Sequence, residues 1–491
     1  MSATLAPSFL ATRRGKFTLA LLCAIAFLDF VDASIVNIAL PDIRKDLGFS
    51  VQDLQWVLSG YLLTYGGFML LGGRAGDLLG RRRVLVTGTS LFAVSSLVGG
   101  FAQDAGVLVG ARLSQGLGAA MMLPAALSLL TTSFREGKDR NTALGVWGGV
   151  AGLASAAGVF LGGLLTEGPG WRWVLFVNPP IAVFLLFAIF RLLPGERRRA
   201  PLANFDVTGT VLVTSGMLLL VYALVKAPDQ SWGSARTIGE LAGAGVLLLA
   251  FLINEGRSRN PLVPLSIFRV RGLAAANLTM LVGAAGVISM FFFLTLYMQN
   301  VLGFSPIQTG AAYLPFTAGV AVSAGIGAQL MGRIGTRPLL VTGSLIGAGG
   351  LYYLSRIPVN GSYLADLFPG MMIVAVGLGA LFVAVTTAAN AGVTADRAGL
   401  AAALINSAQQ VGGALGLAIF SAIATARTNH LFALQMSPAE ALTGGFRRAL
   451  LAECIFLLAS ALVATRTINS HGQTDPDAVV DAEPALATVA S

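Results

Sequence analysis

Charge is scarce in this chain. Of its 491 residues, 11% are charged and 55% are hydrophobic, and the mean hydropathy is +0.77. Soluble domains carry roughly 25% charged residues, and a soluble fold cannot bury so much apolar surface. The composition excludes an ordinary soluble protein and predicts a polytopic membrane protein. Because the apolar runs are long and continuous rather than alternating, they favour an all-α bundle over a β-barrel.

Histidine and cysteine are nearly absent. His430 and His471 lie outside the apolar segments, so neither a metal cluster nor a Ser-His-Asp triad is expected. Cys23 and Cys454 lie inside apolar segments, which argues against a disulfide framework. The chain also lacks a phosphate-binding G-x-x-x-x-G-K-[ST] loop, so ATP is not expected to be the direct energy source. We therefore expect no enzyme activity, no metal and no cofactor.

Glycine and basic residues are abundant. The 60 glycines exceed the usual share of about 7%, and small residues allow membrane helices to pack closely. The net charge of +9 would suggest a nucleic-acid partner in a soluble protein. Here the basic residues lie between apolar runs, where membrane topology explains them better. No nucleic-acid partner is expected, and the lipid bilayer is the expected surrounding.

The apolar runs predict fourteen membrane spans. They cover about 17–40, 54–76, 83–103, 105–130, 142–165, 173–193, 206–226, 237–254, 272–299, 307–331, 338–355, 364–388, 399–425 and 446–465. The first run is too long for a cleaved signal peptide. Most of the 32 lysines and arginines then fall in loops on one side, which predicts that both termini are cytoplasmic.

A weak internal repeat divides the chain into two halves. Gly80 and Arg82 follow the second span as Gly335 and Arg337 follow the tenth. The repeat predicts two six-helix bundles with two extra helices between them, a known transporter construction. The predicted units are a cytoplasmic N-terminus (1–16), the N-terminal bundle (17–194), the extra helices with linkers (195–271), the C-terminal bundle (272–466) and a disordered cytoplasmic tail (467–491). A regulatory tail is the alternative.

Two carboxylates, Asp29 and Asp32, lie inside the first apolar run. A charge at such depth costs at least ~2.5 kcal/mol and usually faces a cavity or a partner. Asp32 lies roughly 13 Å from the outer end of its span, and Arg112 of the fourth span lies roughly 10 Å from that surface. Pairing or proton relay between them is the favoured interpretation. The alternatives are an arginine that reaches the headgroups and an acid that is purely structural.

The layout and motifs resemble the major facilitator superfamily, specifically its fourteen-span drug:proton antiporter branch, over about residues 15–466. The motifs that carry the resemblance are Gly73–Arg83, Asp32–Pro41 (with Ser34 where threonine is usual), Arg112–Ala120 and Gly149–Gly163. The last departs from the family pattern, because Val159 stands where proline is usual after Gly158. The resemblance implies a major facilitator fold with 14 transmembrane helices.

The motif after the second span implies a cytoplasmic latch made of Gly73, Asp77, Gly80, Arg81 and Arg82. Its glycines permit a tight turn, and its acid can pair with nearby arginines. Such a latch would hold the cytoplasmic face closed in the outward-open state. The alternative is that the arginines only anchor the loop at the membrane surface.

Polar and aromatic residues in several spans are candidates for a substrate cavity. They are Asn37, Gln115, Phe292, Tyr297, Asn406 and Gln409. The aromatic residues would look the same if they faced lipid, and the polar ones are equally compatible with hydrogen bonds between helices. Glu453 is a lone acid in the last span, and the sequence assigns it no role.

The resemblance implies a secondary active transporter of the cell (inner or plasma) membrane that functions as a monomer. It would be a multidrug efflux antiporter that uses the proton motive force to export lipophilic, cationic small molecules by alternating access, and so would confer antibiotic resistance. Protons would be the coupling ion, carried by Asp32 with Asp29 and Arg112. A lipid or lipid-like metabolite translocase is the main alternative. A non-transporting membrane sensor and an ion channel are less favoured.

Overall fold

The computed structural model describes residues 9–134, 138–194, 206–258, 261–270, 272–391, 393 and 398–471. This part of the chain is almost entirely helical. The helices of the first half are α1 (Arg13–Leu47), α2 (Trp56–Leu79), α3 (Arg81–Gly100), α4 (Ala105–Ser133), α5 (Lys138–Glu167), α6 (Trp173–Phe176) and α7 (Asn178–Leu192). Those that follow are α8 (Val207–Gln230), α9 (Ala235–Arg257), α10 (Leu273–Asn300), α11 (Pro306–Ile334), α12 (Thr336–Leu354), α13 (Phe368–Asn390), α14 (Ala398–Ala433) and α15 (Pro438–Ala464).

Local sequence signals account for several helix ends. The side chain of Asp104 accepts a hydrogen bond from the backbone of Val107 at the start of α4. Ser305 starts α11 with a capping box. Gly80 joins α2 to α3 with φ +102°, and Gly335 joins α11 to α12 with φ +83°. Both angles favour glycine, so the two glycines matched in the repeat have the same backbone role.

Twelve helices of the described chain are long and apolar enough to cross a membrane, which supports a multi-pass membrane protein. The predicted spans 338–355 and 446–465 correspond to α12 and α15, and neither is among the twelve. Arg337 and several glycines lower the hydropathy of α12, and α15 carries Arg447, Arg448 and Glu453. The count of fourteen spans therefore stays a prediction.

Each half packs as a bundle of its own. In the first half α4 lies between α2 and α3, and α1 packs along α5. In the second half α10 packs against α14 and α15, and α13 lies between α11 and α12. The pair α8 and α9 adjoins the bundles through contacts of α8 with α2 and α14. The two halves meet mainly where α2 contacts α14 and where α5 contacts α11.

The helix ends define two faces of the molecule. We call the face that carries Arg81–Arg83 the basic face, and the face where α1 ends the opposite face. At the opposite face, Oε2 of Glu167 at the end of α5 accepts a hydrogen bond from the backbone of Ile307 in α11 at 3.0 Å. A Cβ added at Gly310 would lie 2.5 Å from the carbonyl oxygen of Val159. The halves therefore touch, backbone to backbone, at the opposite face.

Nearer the basic face the same two helices are exposed. Leu144 and Leu153 of α5 and Val322 and Ile326 of α11 are all exposed. Helices α5 and α11 thus pack tightly at the opposite face. Nearer the basic face, these four exposed side chains do not extend that contact. Between α5 and α11, the two halves are therefore in contact at the opposite face.

Candidate functional site

An ion pair joins α1 to α4 in the middle of the first bundle. Nη1 of Arg112 donates a hydrogen bond to Oδ2 of Asp32 at 2.7 Å. The exposed fractions of the two side chains are 1% and 0%, so both charges are removed from solvent. A buried charge is tolerated when it has a partner of opposite sign and satisfied hydrogen bonds. The structure brings together the two residues whose matching depth suggested a pair.

Two amide side chains complete the surroundings of the carboxylate. Nε2 of Gln115 donates to Oδ1 of Asp32 at 2.8 Å, and Nδ2 of Asn178 donates to the same oxygen at 2.6 Å. Ser96 accepts a second hydrogen bond from Asn178 at 2.9 Å and donates to the carbonyl of Leu175. Helices α3, α4 and α7 therefore converge on one acid of α1. Its three N–H donors match an ionised carboxylate, which only accepts hydrogen bonds.

Arg112 is held on several sides. Its Nε donates to the carbonyl of Val57 at 3.0 Å, and its Nη1 also donates to Oε1 of Gln115 at 2.7 Å. The guanidinium carbon lies 4.3 Å from the centre of the Tyr61 ring, a cation–π distance. Its Nη2 is buried and has no hydrogen-bond partner in the described chain. The two N–H donors of Nη2 thus remain for a further acceptor.

Asp29 faces a different neighbour from Asp32. The hydroxyl groups of Tyr61 and Tyr65 donate to its two oxygens at 2.8 and 3.0 Å. Asp29 is also buried, with an exposed fraction of 1%. Tyr61 links the two acids, because its hydroxyl binds Asp29 while its ring lies beside Arg112, the partner of Asp32. We call the set of Asp29, Asp32, Tyr61, Tyr65, Ser96, Arg112, Gln115 and Asn178 the acid cluster.

Four of the eight residues of the acid cluster were not predicted from the sequence. Tyr61 and Tyr65 stand four residues apart in an apolar span, a spacing that puts both on one helix face and marks them as partners for a buried acid. Asn178 precedes two prolines where α7 begins. Ser96 carried no signal, because serine is common in membrane helices.

The glycines of the predicted latch lie at the end of α2. Gly73 packs toward Pro124 of α4, with 3.8 Å between an added Cβ and the proline Cβ, and Gly80 makes the left-handed turn into α3. The side chain of Asp77 lies outside the described part of the structure. Its pairing in the latch stays a prediction.

The arginines of the latch begin α3. Nη2 of Arg82 donates to the carbonyl of Phe190 in α7 at 3.2 Å, and its guanidinium carbon lies 5.2 Å from the Phe190 ring centre. Arg81 is the first residue of α3 and is half-buried. Arg82 thus joins two helices at the basic face.

The other predicted cavity residues are dispersed. Oδ1 of Asn37 is buried without a hydrogen-bond partner in the described chain. Asn406 donates to a carbonyl of its own helix at 2.9 Å, and Gln409 is half-buried three residues further on. The hydroxyl of buried Tyr297 donates to a backbone carbonyl after α12. Phe292 is buried and lines a cavity at the opposite face. Only Gln115 joins the acid cluster.

Comparison with known proteins gives a family match and close relatives. The model of the Major Facilitator Superfamily matches residues 22–417. A puromycin resistance protein of Streptomyces alboniger is 39% identical over 460 residues, which cover 92% of this chain and 91% of that protein. A cephamycin export protein of Amycolatopsis lactamdurans is 36% identical, with 96% of each chain covered. A tetracenomycin C resistance and export protein of Streptomyces glaucescens is 37% identical, covering 82% of this chain and 74% of that one.

Solved structures share the fold at low identity. A bacterial homologue of the human lysosomal transporter Spinster superposes with a TM-score of 0.66 at 16% identity, covering 93% of this chain and 97% of that one. A D-xylose-proton symporter superposes with a TM-score of 0.62 at 13% identity, with 94% and 99% covered. At such identities these structures establish the architecture and leave the cargo open.

Proposed function

The chain belongs to the Major Facilitator Superfamily, and from that premise we propose that it is a proton-coupled antiporter that exports lipophilic, cationic small molecules by alternating access. The relatives named for resistance to, or export of, puromycin, cephamycin and tetracenomycin C support export of small organic molecules. The observation that carries the proton coupling is the acid cluster, with two acids and an arginine buried in a membrane protein. Intramembrane ionisable residues of this kind mark proton and substrate pathways.

The ion pair supplies a two-state switch. While Asp32 is ionised it holds Arg112 across α1 and α4, together with Gln115 and Asn178. A proton on Asp32 removes its charge and with it the attraction that compensates the buried guanidinium. The network would then rearrange, and the two unpartnered N–H groups on Nη2 of Arg112 give this side chain spare hydrogen-bonding capacity. Asp29, held by two tyrosines, is the auxiliary acid.

The proposed topology has fourteen spans in a cell membrane, with both termini and the basic face in the cytoplasm. The contact of α5 with α11 at the opposite face supports assignment of this structure to the inward-open state, in which the cargo would enter between the halves. Outward opening brings external protons to Asp32, and the cargo leaves. The latch around Asp77 and Arg81 would close the basic face in the outward-open state. The protein needs no metal, cofactor or second copy for this cycle.

The membrane potential supplies enough free energy to export the cargo against a concentration gradient. Moving one charge through 100 mV is worth ~2.3 kcal/mol. At about 1.4 kcal/mol per decade, one proton per cargo molecule supports roughly 50-fold accumulation.

Reconstitution tests the proposal. Purified protein in liposomes is given a pH gradient, acidic inside, and the movement of externally added ethidium is followed beside that of a fluorescent phosphatidylcholine. We expect the gradient to drive dye uptake through the inside-out molecules and to leave the phospholipid distribution unchanged. Phospholipid movement without dye movement would establish the lipid translocase instead. Movement of neither, across a panel of cationic and neutral dyes, would favour a non-transporting protein.

A further inference from the structure

Two buried carboxyl groups meet at the basic face, where α8 begins and α9 ends. Asp206 caps the start of α8, and Glu255 lies in the last turn of α9. Their exposed fractions are 7% and 3%. A Cβ added at Gly209 would lie 2.7 Å from Oδ2 of Asp206 and 2.9 Å from Oε1 of Glu255, so the two oxygens approach the same point. Neither acid belongs to the acid cluster.

Three of the four carboxyl oxygens accept hydrogen bonds from N–H groups. The backbone of Gly209 donates to Oδ1 of Asp206 at 2.7 Å, and Nδ2 of Asn254 donates to its Oδ2 at 2.8 Å. The backbone of Val263, in the linker between α9 and α10, donates to Oε2 of Glu255 at 2.9 Å. The pair therefore joins α8, α9 and this linker.

The fourth oxygen, Oε1 of Glu255, is buried and has no hydrogen-bond partner within the described ranges. The backbone of Leu262 lies near the same carboxyl group but does not donate to this oxygen. An ionised carboxylate only accepts hydrogen bonds, whereas a protonated one carries an O–H donor. A proton on Oε1 would donate to the facing Oδ2 of Asp206 and would satisfy the remaining oxygen.

No cation neutralises the pair among the residues that the structure describes. Neither acid forms an ion pair there, and the charged neighbour of Glu255 is Asp206. Arg257 and Arg269 are exposed, and Nη1 of Arg74 in α2 donates to a backbone carbonyl of the linker instead. Two carboxylates so close repel each other, and such a pair commonly shares one proton.

We propose that Asp206 and Glu255 bind one proton between them, and that this proton fastens the linker 261–270 to the ends of α8 and α9 at the basic face. Loss of the proton leaves two adjacent buried charges, whose repulsion favours release of the linker. Arg74, within the motif after the second span, binds the same linker at the carbonyl of Pro261 at 3.1 Å. The site is thus a pH-sensitive clasp that also contacts the end of α2.

Infrared difference spectroscopy in lipid nanodiscs tests for the proton. At pH 7 the full-length wild-type protein is compared with Glu255→Gln, which keeps the shape of the side chain and supplies an N–H donor in place of the O–H. We expect the variant to lose the band of one protonated carboxyl group. Glu240→Gln is the matched control, because that glutamate of α9 pairs with Arg236 at 3.0 Å and should lose a carboxylate band. Loss of a carboxylate band in Glu255→Gln, as for an ionised acid or a bound metal cation, overturns the proposal.

Cysteine labelling tests whether the proton fastens the linker. In a variant without Cys23 and Cys454, Leu262→Cys reports on the linker, because Leu262 is 6% exposed. Gly256→Cys, where an added Cβ meets nothing within 4 Å, corrects for the effect of pH on the thiol reaction. From about pH 6 to about pH 8 the corrected maleimide labelling rate of Leu262→Cys should rise at least about fivefold, the lower end of typical coupling between two sites, and Glu255→Gln should abolish this rise.

A second variant makes the result independent of one substitution. Asp206→Asn removes the other charge of the pair and is also expected to flatten the rise. Thermal unfolding verifies that each variant is folded. A rate that does not change with pH in the wild-type background, or an equal rise in that background and in both variants, means that the proton does not hold the linker. Because no transport is measured, these results are independent of the export proposal.

Discussion

At the scale of single residues, the depth of two charged side chains was the most informative property of the sequence. Counting residues from the helix ends placed Asp32 and Arg112 at one level, and the structure joins them at 2.7 Å. The count could not supply Asn178, because the position of α7 beside α1 and α3 depends on contacts between segments distant in the chain. The i, i+3 spacing of Asp29 and Asp32 likewise did not show that they face different helices.

Removing Arg112 should cost more stability than its hydrogen bonds alone suggest. Arg112→Ala leaves the carboxylate of Asp32 buried without its cation, and breaking a buried pair in this way costs about 3–5 kcal/mol. We expect that loss in the free energy of unfolding, measured in mixed micelles. Asp32→Asn combined with Arg112→Gln removes both charges and should recover most of it. If the double variant is as unstable as Arg112→Ala, the ion pair does not account for the loss.

Replacing Glu453 should raise the free energy of unfolding, whereas replacing Arg112 should lower it. It is fully buried in α15, and neither carboxyl oxygen has a hydrogen-bond partner in the described chain. Glu453→Met keeps the volume and removes an unsatisfied polar group, so the free energy of unfolding should rise by about 1–3 kcal/mol. Glu440→Met is the matched control, because that exposed glutamate completes the capping box of Ser437, and its loss should lower stability. A decrease for Glu453→Met would show that the acid has a stabilising partner.

At the scale of helices, most elements were predictable from the sequence, but the break within one predicted span was not. The predicted span 173–193 is two helices, α6 and α7, because Pro179 and Pro180 cannot donate backbone hydrogen bonds to the preceding turn. The repeat motif correctly marked two equivalent turns, at Gly80 and Gly335, because a positive φ restricts the position to glycine. No sequence motif of this kind predicted where helices of different halves approach each other closely.

The backbone contact of α11 with α5 should control which face is open. Gly310→Val adds side-chain atoms where even a Cβ would lie 2.5 Å from the Val159 carbonyl oxygen, so it should force the opposite face apart. In a variant without Cys23 and Cys454, we expect faster maleimide labelling of Ser34→Cys from that face. Gly325→Val is the matched control, because an added Cβ there meets nothing within 4 Å. Equal labelling rates in the two valine variants would contradict this role for the contact.

At the scale of the whole molecule, the family and the all-helical membrane fold were predictable, and both are confirmed. Hydrophobic periodicity, basic loops and short motifs are local properties, so they can be read directly from the sequence. Where along α5 and α11 the two halves touch was not predictable, because it depends on the packing of segments that are distant in the chain. The cavity at the opposite face is lined by residues of both halves, so no single sequence motif predicted it.

The topology makes a prediction at this scale. If the chain crosses the membrane fourteen times, a fluorescent protein fused after His471 should fold in the cytoplasm and fluoresce. The same fusion after Leu354, at the end of α12, should lie outside and stay dark when exported unfolded. With α12 and α15 both outside the membrane, the fusion after Leu354 would be expected on the cytoplasmic side, and bright fluorescence there would exclude the fourteen-span arrangement.

In the proposed cycle, export of the cargo is exchanged for protons through Asp32. Liposomes containing the purified protein and a trapped pH indicator, with no initial pH gradient, are given an outward gradient of ethidium. An antiporter predicts that dye efflux drives protons inward, so the lumen acidifies with wild-type protein, and that Asp32→Asn abolishes this acidification while it still exchanges labelled for unlabelled dye. Acidification by Asp32→Asn at the wild-type rate would contradict the account.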